Sequence, residues 1–271
     1  MPESVFFERY SEPNNNKHAL LDKCREACDA YYESVTELPF CNIWNAQQLS
    51  QRLPKGSLLT LSASNTRRCW NMFPLPDGVE CTSNVGCCGI DGSNSAMIGA
   101  SLASPDRLCF LSTGDLAFFY DLNALGNRHV AKNIRILLVN NGVGAEFKLK
   151  EHYCSAFGDG ANQFMAAMGH FGKKSPDLVR HYAEDLGFEY MTASNKEEYL
   201  KAVERFTTSE MTEKPMLFEI FTSHEDEAAA LEIIRTLKTD ANAVLKKKAI
   251  EIVSKTAGQK GIDFIRKTFK K

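Results

Sequence analysis

The sequence predicts an α/β fold: a parallel sheet with helices on both faces, plus helical extensions at the N- and C-terminal ends. Three observations predict it. Short apolar runs alternate with stretches of helical periodicity, the βαβα order that builds parallel sheets. Two of the runs, Leu108–Ser112 and Ile134–Val139, are apolar enough for buried strands. Each ends in a polar turn, Thr113-Gly114-Asp115 and Asn140-Asn141-Gly142. Both turns therefore fall at the carboxyl ends of strands, where open parallel sheets bind their ligands.

In chain order, residues 1–16 end in Pro13-Asn14-Asn15-Asn16 and read as a loose lead-in. Residues 17–35 carry helical periodicity, and Pro39 follows. Phe40–Leu53 is a second amphipathic helix, closed by Pro54-Lys55-Gly56. Ser57–Leu61 and Val79–Ser83 are strands, and a helix is expected through Ala103. Leu116–Leu125 has Leu116, Phe119, Leu122 and Leu125 at helical spacing, which predicts a helix between the two buried strands. Lys148–His170 is polar, Gly-rich and aromatic, a long loop with a short helix. Pro176–Leu186 (helix), Phe188–Met191 (strand), Lys196–Phe206 (helix) and Pro215–Phe221 (strand) complete the alternation. Glu225–Leu237 is expected to be helical, and Leu245–Lys271 is Lys-rich with spaced apolar residues, read as amphipathic helices docked on a body or partner, with a basic membrane-surface helix as the alternative. The expected divisions are 1–39 as linker and connecting helix, 40–223 as the α/β domain, and 224–271 as a helical extension.

Composition excludes several classes. The net charge of −2 gives no bulk field toward nucleic acid or anionic membrane. No apolar run approaches the length of a membrane span. The N-terminus lacks a basic region followed by an apolar block, so a cytoplasmic location is expected. Nine cysteines, odd in number and irregularly spaced, fit reduced, semi-buried thiols better than a disulfide framework.

The two polar turns carry the chemistry. Asp115 offers a hard carboxylate oxygen, Asn141 a carboxamide oxygen and Val143 a backbone carbonyl. Magnesium takes such oxygens, completing its shell with phosphate and water. A helix starting at Asp115 directs its free N–H groups to the same point, where phosphate is stabilised. Asp, Asn and Gly also occur in such turns for conformational reasons alone. A carboxylate, a carboxamide and a helix N-terminus around one point describe a magnesium–diphosphate site.

This stretch resembles the thiamine-diphosphate fingerprint, which opens with Gly-Asp-Gly and closes with Asn-Asn. Here Gly114-Asp115-Leu116 opens it and Asn140-Asn141 closes it. Leu in the third position, the run Tyr120-Asp121-Leu122-Asn123-Ala124-Leu125, and Gly89-Ile90-Asp91-Gly92 are similar to the menaquinone-pathway synthases that make 2-succinyl-5-enolpyruvyl-6-hydroxy-3-cyclohexene-1-carboxylate. The resemblance covers roughly residues 36 to 225.

It implies a thiamine-diphosphate-binding fold with thiamine diphosphate and Mg2+ as cofactors. Gly89, Ile90, Gly114, Asp115, Leu116, Ala117, Asn141 and Val143 would contact the cofactor, and Asp115, Asn141 and Val143 the metal. Ile90 would hold the cofactor bent, and Phe147 would form the active-site wall. Ser64 and Arg68 have the spacing of a pair that contacts the substrate's carboxylate side; Arg suits carboxylates because its fork binds them bidentately. One departure stands out. Where the synthases show Asn-Arg-Gly, this chain has Asn84-Val85-Gly86, so a substrate-binding cation is missing.

The resemblance further implies a separate pyrimidine-binding domain whose glutamate activates the cofactor. No second α/β domain is visible, and Glu80, Glu146 and Glu219 lie in the wrong context for that role. The expectation is the diphosphate-binding half of a 2-oxo-acid decarboxylase or carboligase, assembled as a homo-oligomer and inactive alone. A simple 2-oxo-acid decarboxylase, an acetolactate-synthase-like enzyme, and a non-catalytic cofactor-binding or assembly module stay open beside it.

Overall fold

The structure, a computed structural model, describes residues 5, 19–170 and 175–237. The expectations for residues 6–16 and 238–271, including most of the Lys-rich C-terminal stretch, lie outside the described residues. The helix expected over 17–35 is α1 (Ala19–Glu33). It belongs to a different compact unit from Glu37–Arg235, which holds the sheet.

Within Glu37–Arg235 the order is α2 (Asn42–Ser50), β1 (Leu58–Leu61), α3 (Asn65–Trp70), β2 (Glu80–Ser83), α4 (Ser93–Ala103) and β3 (Cys109–Gly114). Then come α5 (Asp115–Tyr120), a 3-10 turn at Leu122–Gly126, β4 (Ile134–Asn140) and two further 3-10 turns at Ala145–Lys148 and Tyr153–Ala161. The unit closes with α6 (Leu178–Asp185), β5 (Glu189–Ala193), α7 (Lys196–Phe206), β6 (Met216–Phe221) and α8 (His224–Thr236). The six strands form one sheet in the order β2-β1-β3-β4-β6-β5, and every pair is parallel. The predicted fold class is the observed one.

Strand alternation sorts the core into two layers. Leu111 of β3, Ile134, Ile136 and Leu138 of β4, and Leu217 of β6 meet α4, α5 and α6 through Met97, Ile98, Phe118 and Val179. On the opposite face Phe110 and Phe218 both pack on Phe206, and Phe218 packs on Tyr199, which also meets Trp44. β4 is buried along its whole length, as a strand covered by helices on both faces must be. Arg135 lies fully buried in it, its guanidinium spent on the carbonyls of Lys132, Ile134 and Glu210, and burial lowers its pKa to about 10.

Two expectations are corrected. The helix predicted over Leu116–Leu125 ends at Tyr120, and the rest is a 3-10 turn. Asp121 breaks it because its side chain serves another helix: its carboxylate accepts from the Ser95 backbone N–H (2.6 Å) and hydroxyl (2.7 Å), capping α4. Asn94 Nδ2 answers with bonds to the carbonyls of Phe118 and Asp121. The division expected at 223/224 also differs from the structure. Glu227 of α8 is fully buried in the unit, accepting from the Asn42 backbone N–H (2.8 Å) and Asn65 Nδ2 (3.5 Å). All nine cysteines are free; Cys41, Cys69 and Cys109 are buried, whereas Cys24, Cys28, Cys81, Cys87 and Cys88 are exposed rather than semi-buried.

Candidate cofactor site at the carboxyl edge of the sheet

The chain leaves β1 toward β2 on one side and returns to β3 on the other. That reversal makes a crevice at the strands' carboxyl ends. A cavity of about 710 Å³ lies there, lined by the turns after β1, β2, β3 and β4. Ser64, Arg68, Gly89, Ile90, Gly114, Asp115, Leu116, Ala117, Asn141, Val143 and Phe147 all line it, so every site residue singled out in the sequence comes to one place.

Two turns on neighbouring central strands are tied to one another at its floor. Asp115 is buried; its Oδ1 accepts from the Leu116 N–H at 2.9 Å and its Oδ2 from the Gly142 N–H at 2.5 Å. The second bond carries the β3 carboxylate onto the Asn141 turn of β4. Asn141 Oδ1 accepts from the Val143 N–H at 3.2 Å, which fixes the carboxamide beside it. Gly142 has φ +72°, a conformation that glycine adopts without strain. Beneath the turn, buried Glu219 accepts from Asn140 Nδ2 and the Tyr190 hydroxyl, both at 2.7 Å. Burial outweighs these bonds and raises the Glu219 carboxyl pKa.

Two glycines at the rim differ in what holds them. A Cβ on Gly144 would lie 2.9 Å from the Phe147 ring and 3.3 Å from the Ala166 carbonyl. Packing within the chain requires that glycine. A Cβ on Gly114 would find nothing nearer than Thr66 Oγ1 at 3.9 Å, and Gly114 has an ordinary extended backbone (φ −84°, ψ 162°). Nothing in the chain itself demands glycine at 114. Its bare backbone leaves that side of the turn open.

The donors fit magnesium and diphosphate chemistry. A carboxylate, a carboxamide and a backbone carbonyl are hard oxygens of the kind Mg2+ prefers. Among the described residues no lysine or arginine pairs with Asp115. His170 Nε2 lies 2.8 Å from its Oδ2 and packs against the Phe119 ring. The sequence reading placed His170 only at the end of a long loop and gave it no role. No local signal marks it, because the contact spans 55 residues and depends on the Gly169 N–H bonding the Gly142 carbonyl.

The opposite end is built from α3 and the turn at Ala145–Lys148. Glu146 accepts from the Ser64 hydroxyl, and from Arg68 Nη2 at 2.8 Å. Sequence reasoning excluded Glu146 from a cofactor-activating role and missed its place in this wall. Ser64 holds φ +73°, ψ −135°, and Cys88, also in the lining, holds φ +53°. Such strained backbone costs about 1–3 kcal/mol each and persists only where the surroundings fix it. At the back, Asn42 and Asn65 face the cavity from the Glu227 network, a contribution hidden in sequence because Glu227 arrives from α8. Asp159, in a Gly-Asp-Gly that resembles the opening motif superficially, is exposed on the Tyr153–Ala161 turn.

Residues 64–220 match the family described as thiamine pyrophosphate enzyme, C-terminal TPP binding domain. Among curated proteins, the 2-succinyl-5-enolpyruvyl-6-hydroxy-3-cyclohexene-1-carboxylate synthase of Bacteroides fragilis is 35% identical over 196 residues, which is 72% of this chain and 34% of that protein. The synthase of the same title from Phocaeicola vulgatus is 36% identical over 212 residues, 73% of this chain and 34% of its own. The chain thus spans about a third of the length of the curated relatives it matches. Among solved structures, the thiamine diphosphate-dependent 4-hydroxybenzoylformate decarboxylase of Rhodococcus jostii RHA1 aligns with TM-score 0.48 and 18% identity, over 69% of this chain and 33% of that one.

Proposed function

Because the chain belongs to the thiamine pyrophosphate enzymes, as a C-terminal TPP binding domain, we propose that its cavity holds thiamine diphosphate with Mg2+ in a 2-oxo-acid decarboxylase or carboligase related to the menaquinone-pathway synthases. One observation carries the reading: the Gly142 N–H bonds Asp115 Oδ2 at 2.5 Å, joining the carboxylate and carboxamide turns of two adjacent strands. Asp115, Asn141 Oδ1 and the Val143 carbonyl would hold the metal. Gly114 and Gly89 would let the diphosphate approach, and Leu116 and Ala117 would lie along it. Ile90 and Phe147 would shape the apolar wall where the reacting end sits. Bound there, thiamine diphosphate supplies the nucleophilic carbon and the electron sink for loss of carbon dioxide from a 2-oxo acid. The chain's task is to bind, orient and exclude water.

The group that activates the cofactor's aminopyrimidine is proposed to come from a pyrimidine-binding domain elsewhere in the full-length protein or in a partner chain, within a homo-oligomer. A second reading, a simple decarboxylase or an acetolactate-synthase-like enzyme, is favoured by Val85, which stands where the synthases carry a substrate-binding arginine.

Titration calorimetry of the full chain tests the assignment. Thiamine diphosphate should bind only with Mg2+, and Asp115→Ala should weaken it by about 100-fold or more. Magnesium-independent binding, or an unaffected Asp115→Ala, would sink it. Binding without any decarboxylation of pyruvate or 2-oxoglutarate by the isolated chain is the expected activity result.

A further inference from the structure

At the β1 end of the cavity the chain supplies its own carboxylate. Glu146 engages the Ser64 hydroxyl through one oxygen and the Arg68 guanidinium through the other. Burial opposes charge on Glu146, but the Ser64 and Arg68 hydrogen bonds outweigh it and hold the carboxyl below the ordinary glutamate range. The Glu146 side chain is 19% exposed and that of Arg68 46%, so the acid is the better enclosed partner.

The seat is rigid on both sides. Ser64 is fixed in strained backbone at the head of α3. Glu146 follows Gly144, whose N–H bonds the Ala166 carbonyl at 2.6 Å and whose Cα has no room for a Cβ. A guanidinium and a hydroxyl at this spacing form a carboxylate receptor, since charge-assisted bonds to a carboxylate are the strong ones. Here the receptor is already satisfied from within. A ligand carboxylate would have to displace Glu146 and then share the cavity with it, like charge beside like charge. The position where a further cation is expected carries Val85, which is exposed.

We propose that Glu146 is a specificity-determining residue: it fills the Ser64–Arg68 seat, so that the substrate accepted at this end of the cavity carries an uncharged group there and not a carboxylate. The inference rests on reading the cavity as a thiamine-diphosphate site and adds the charge class of the substrate. Arg67, Asp91 and Asp115 are the other charged residues in the lining, so a test must separate Arg68 from Arg67.

Succinate and its uncharged isostere succinamide are suitable probes, titrated by NMR into the full chain at constant ionic strength. Wild type should bind succinate no more tightly than succinamide. Glu146→Gln and Glu146→Ala should each raise the preference for succinate about tenfold or more. Adding Arg68→Ala to either should remove the gain. The proposal is overturned if wild type already prefers succinate, if neither Glu146 variant gains succinate binding, or if the gain survives Arg68→Ala. Titrating the same proteins with thiamine diphosphate and Mg2+ reads the cofactor assignment separately. A charge switch without cofactor binding fails that assignment alone, and cofactor binding without a charge switch fails this proposal alone.

Discussion

The two ends of the cavity handle charge in opposite ways. At the β3–β4 end, Asp115 is buried and oriented by two backbone N–H groups, with His170 its one ionisable partner among the described residues. At the β1 end, Arg68 and Glu146 neutralise each other across a more open wall. Backbone amides orient a carboxylate without cancelling its charge, so on the proposed reading the first end receives a cation from outside. The second end is already paired within the chain. The proposal thus gives one end that takes a ligand's charge and one that refuses it.

The largest effect expected from breaking this contrast is at Asp115. Asp115→Asn keeps an oxygen that can accept from a backbone N–H but removes the negative charge. Magnesium-dependent thiamine diphosphate binding should fall by about 100-fold or more, a loss of about 3 kcal/mol, while stability drops by about 1–3 kcal/mol because the amide leaves one of the two N–H groups without an acceptor. A folded variant that binds thiamine diphosphate and Mg2+ as wild type does would show that Asp115 serves the fold and not a cation.

Glu227 sharpens the contrast, being a buried carboxylate with hydrogen bonds from Asn42 and Asn65. Burial pushes its pKa up to about 7 from an ordinary 4.5. The folded state thus holds a proton that the unfolded chain has released. Stability from this group is complete below about pH 4.5, falls as pH rises, and is lost by about pH 7, with a span of up to about 3 kcal/mol. Glu227→Gln mimics the protonated form, and its NH2 can face the Asn65 Oδ1, which has no hydrogen-bond partner among the described residues. Denaturant melts at pH 5 and pH 8 should show the variant gaining on wild type at the higher pH. Equal differences at both pH values would refute the raised pKa.

The rim glycines give a paired test. Gly144→Ala should cost about 1–3 kcal/mol, because the new methyl meets the Phe147 ring and the Ala166 carbonyl. Gly114→Ala fits its backbone and its space, and should leave stability unchanged or raise it by about 0.4–1 kcal/mol. Ligand affinity should respond at 114 all the same. If Gly114→Ala binds thiamine diphosphate as wild type does, the bare backbone there is not an approach path.

The sequence made the sheet legible because its central strands β3 and β4 are buried on both faces and its turns carry Asp, Asn and Gly where the ligand crevice falls. Asp115 and Asn141 could be singled out because their types, at the ends of two successive strands, form one pattern, whereas Ile90 came only with the family resemblance. Asp121 was visible as a motif letter, yet its task, capping α4 across 26 residues, was not. His170, Glu146 and Glu227 were missed for the same reason. Each acts on a partner 55 to 185 residues away, and no local period or cap signal encodes such a pair. The helix predicted through Leu125 failed where Asp121 turned its side chain away from its own helix.

The smallest effect separates the two ends by backbone and not by charge. Ser64→Ala and Ser64→Gly both delete the hydroxyl that meets Glu146, at about 0.5–1.5 kcal/mol for the bond. At an ordinary position glycine is the less stable of the two by about 0.5–1 kcal/mol. Ser64, however, sits at φ +73°, ψ −135°, where a Cβ is strained. Relief of about 1–3 kcal/mol should reverse the order and make Ser64→Gly the more stable variant in urea melts. If alanine wins, the seat under Glu146 is not strained. Its rigidity would then have to come from side-chain contacts alone, and the Arg68–Glu146 pair would yield to a ligand carboxylate more easily than the geometry indicates.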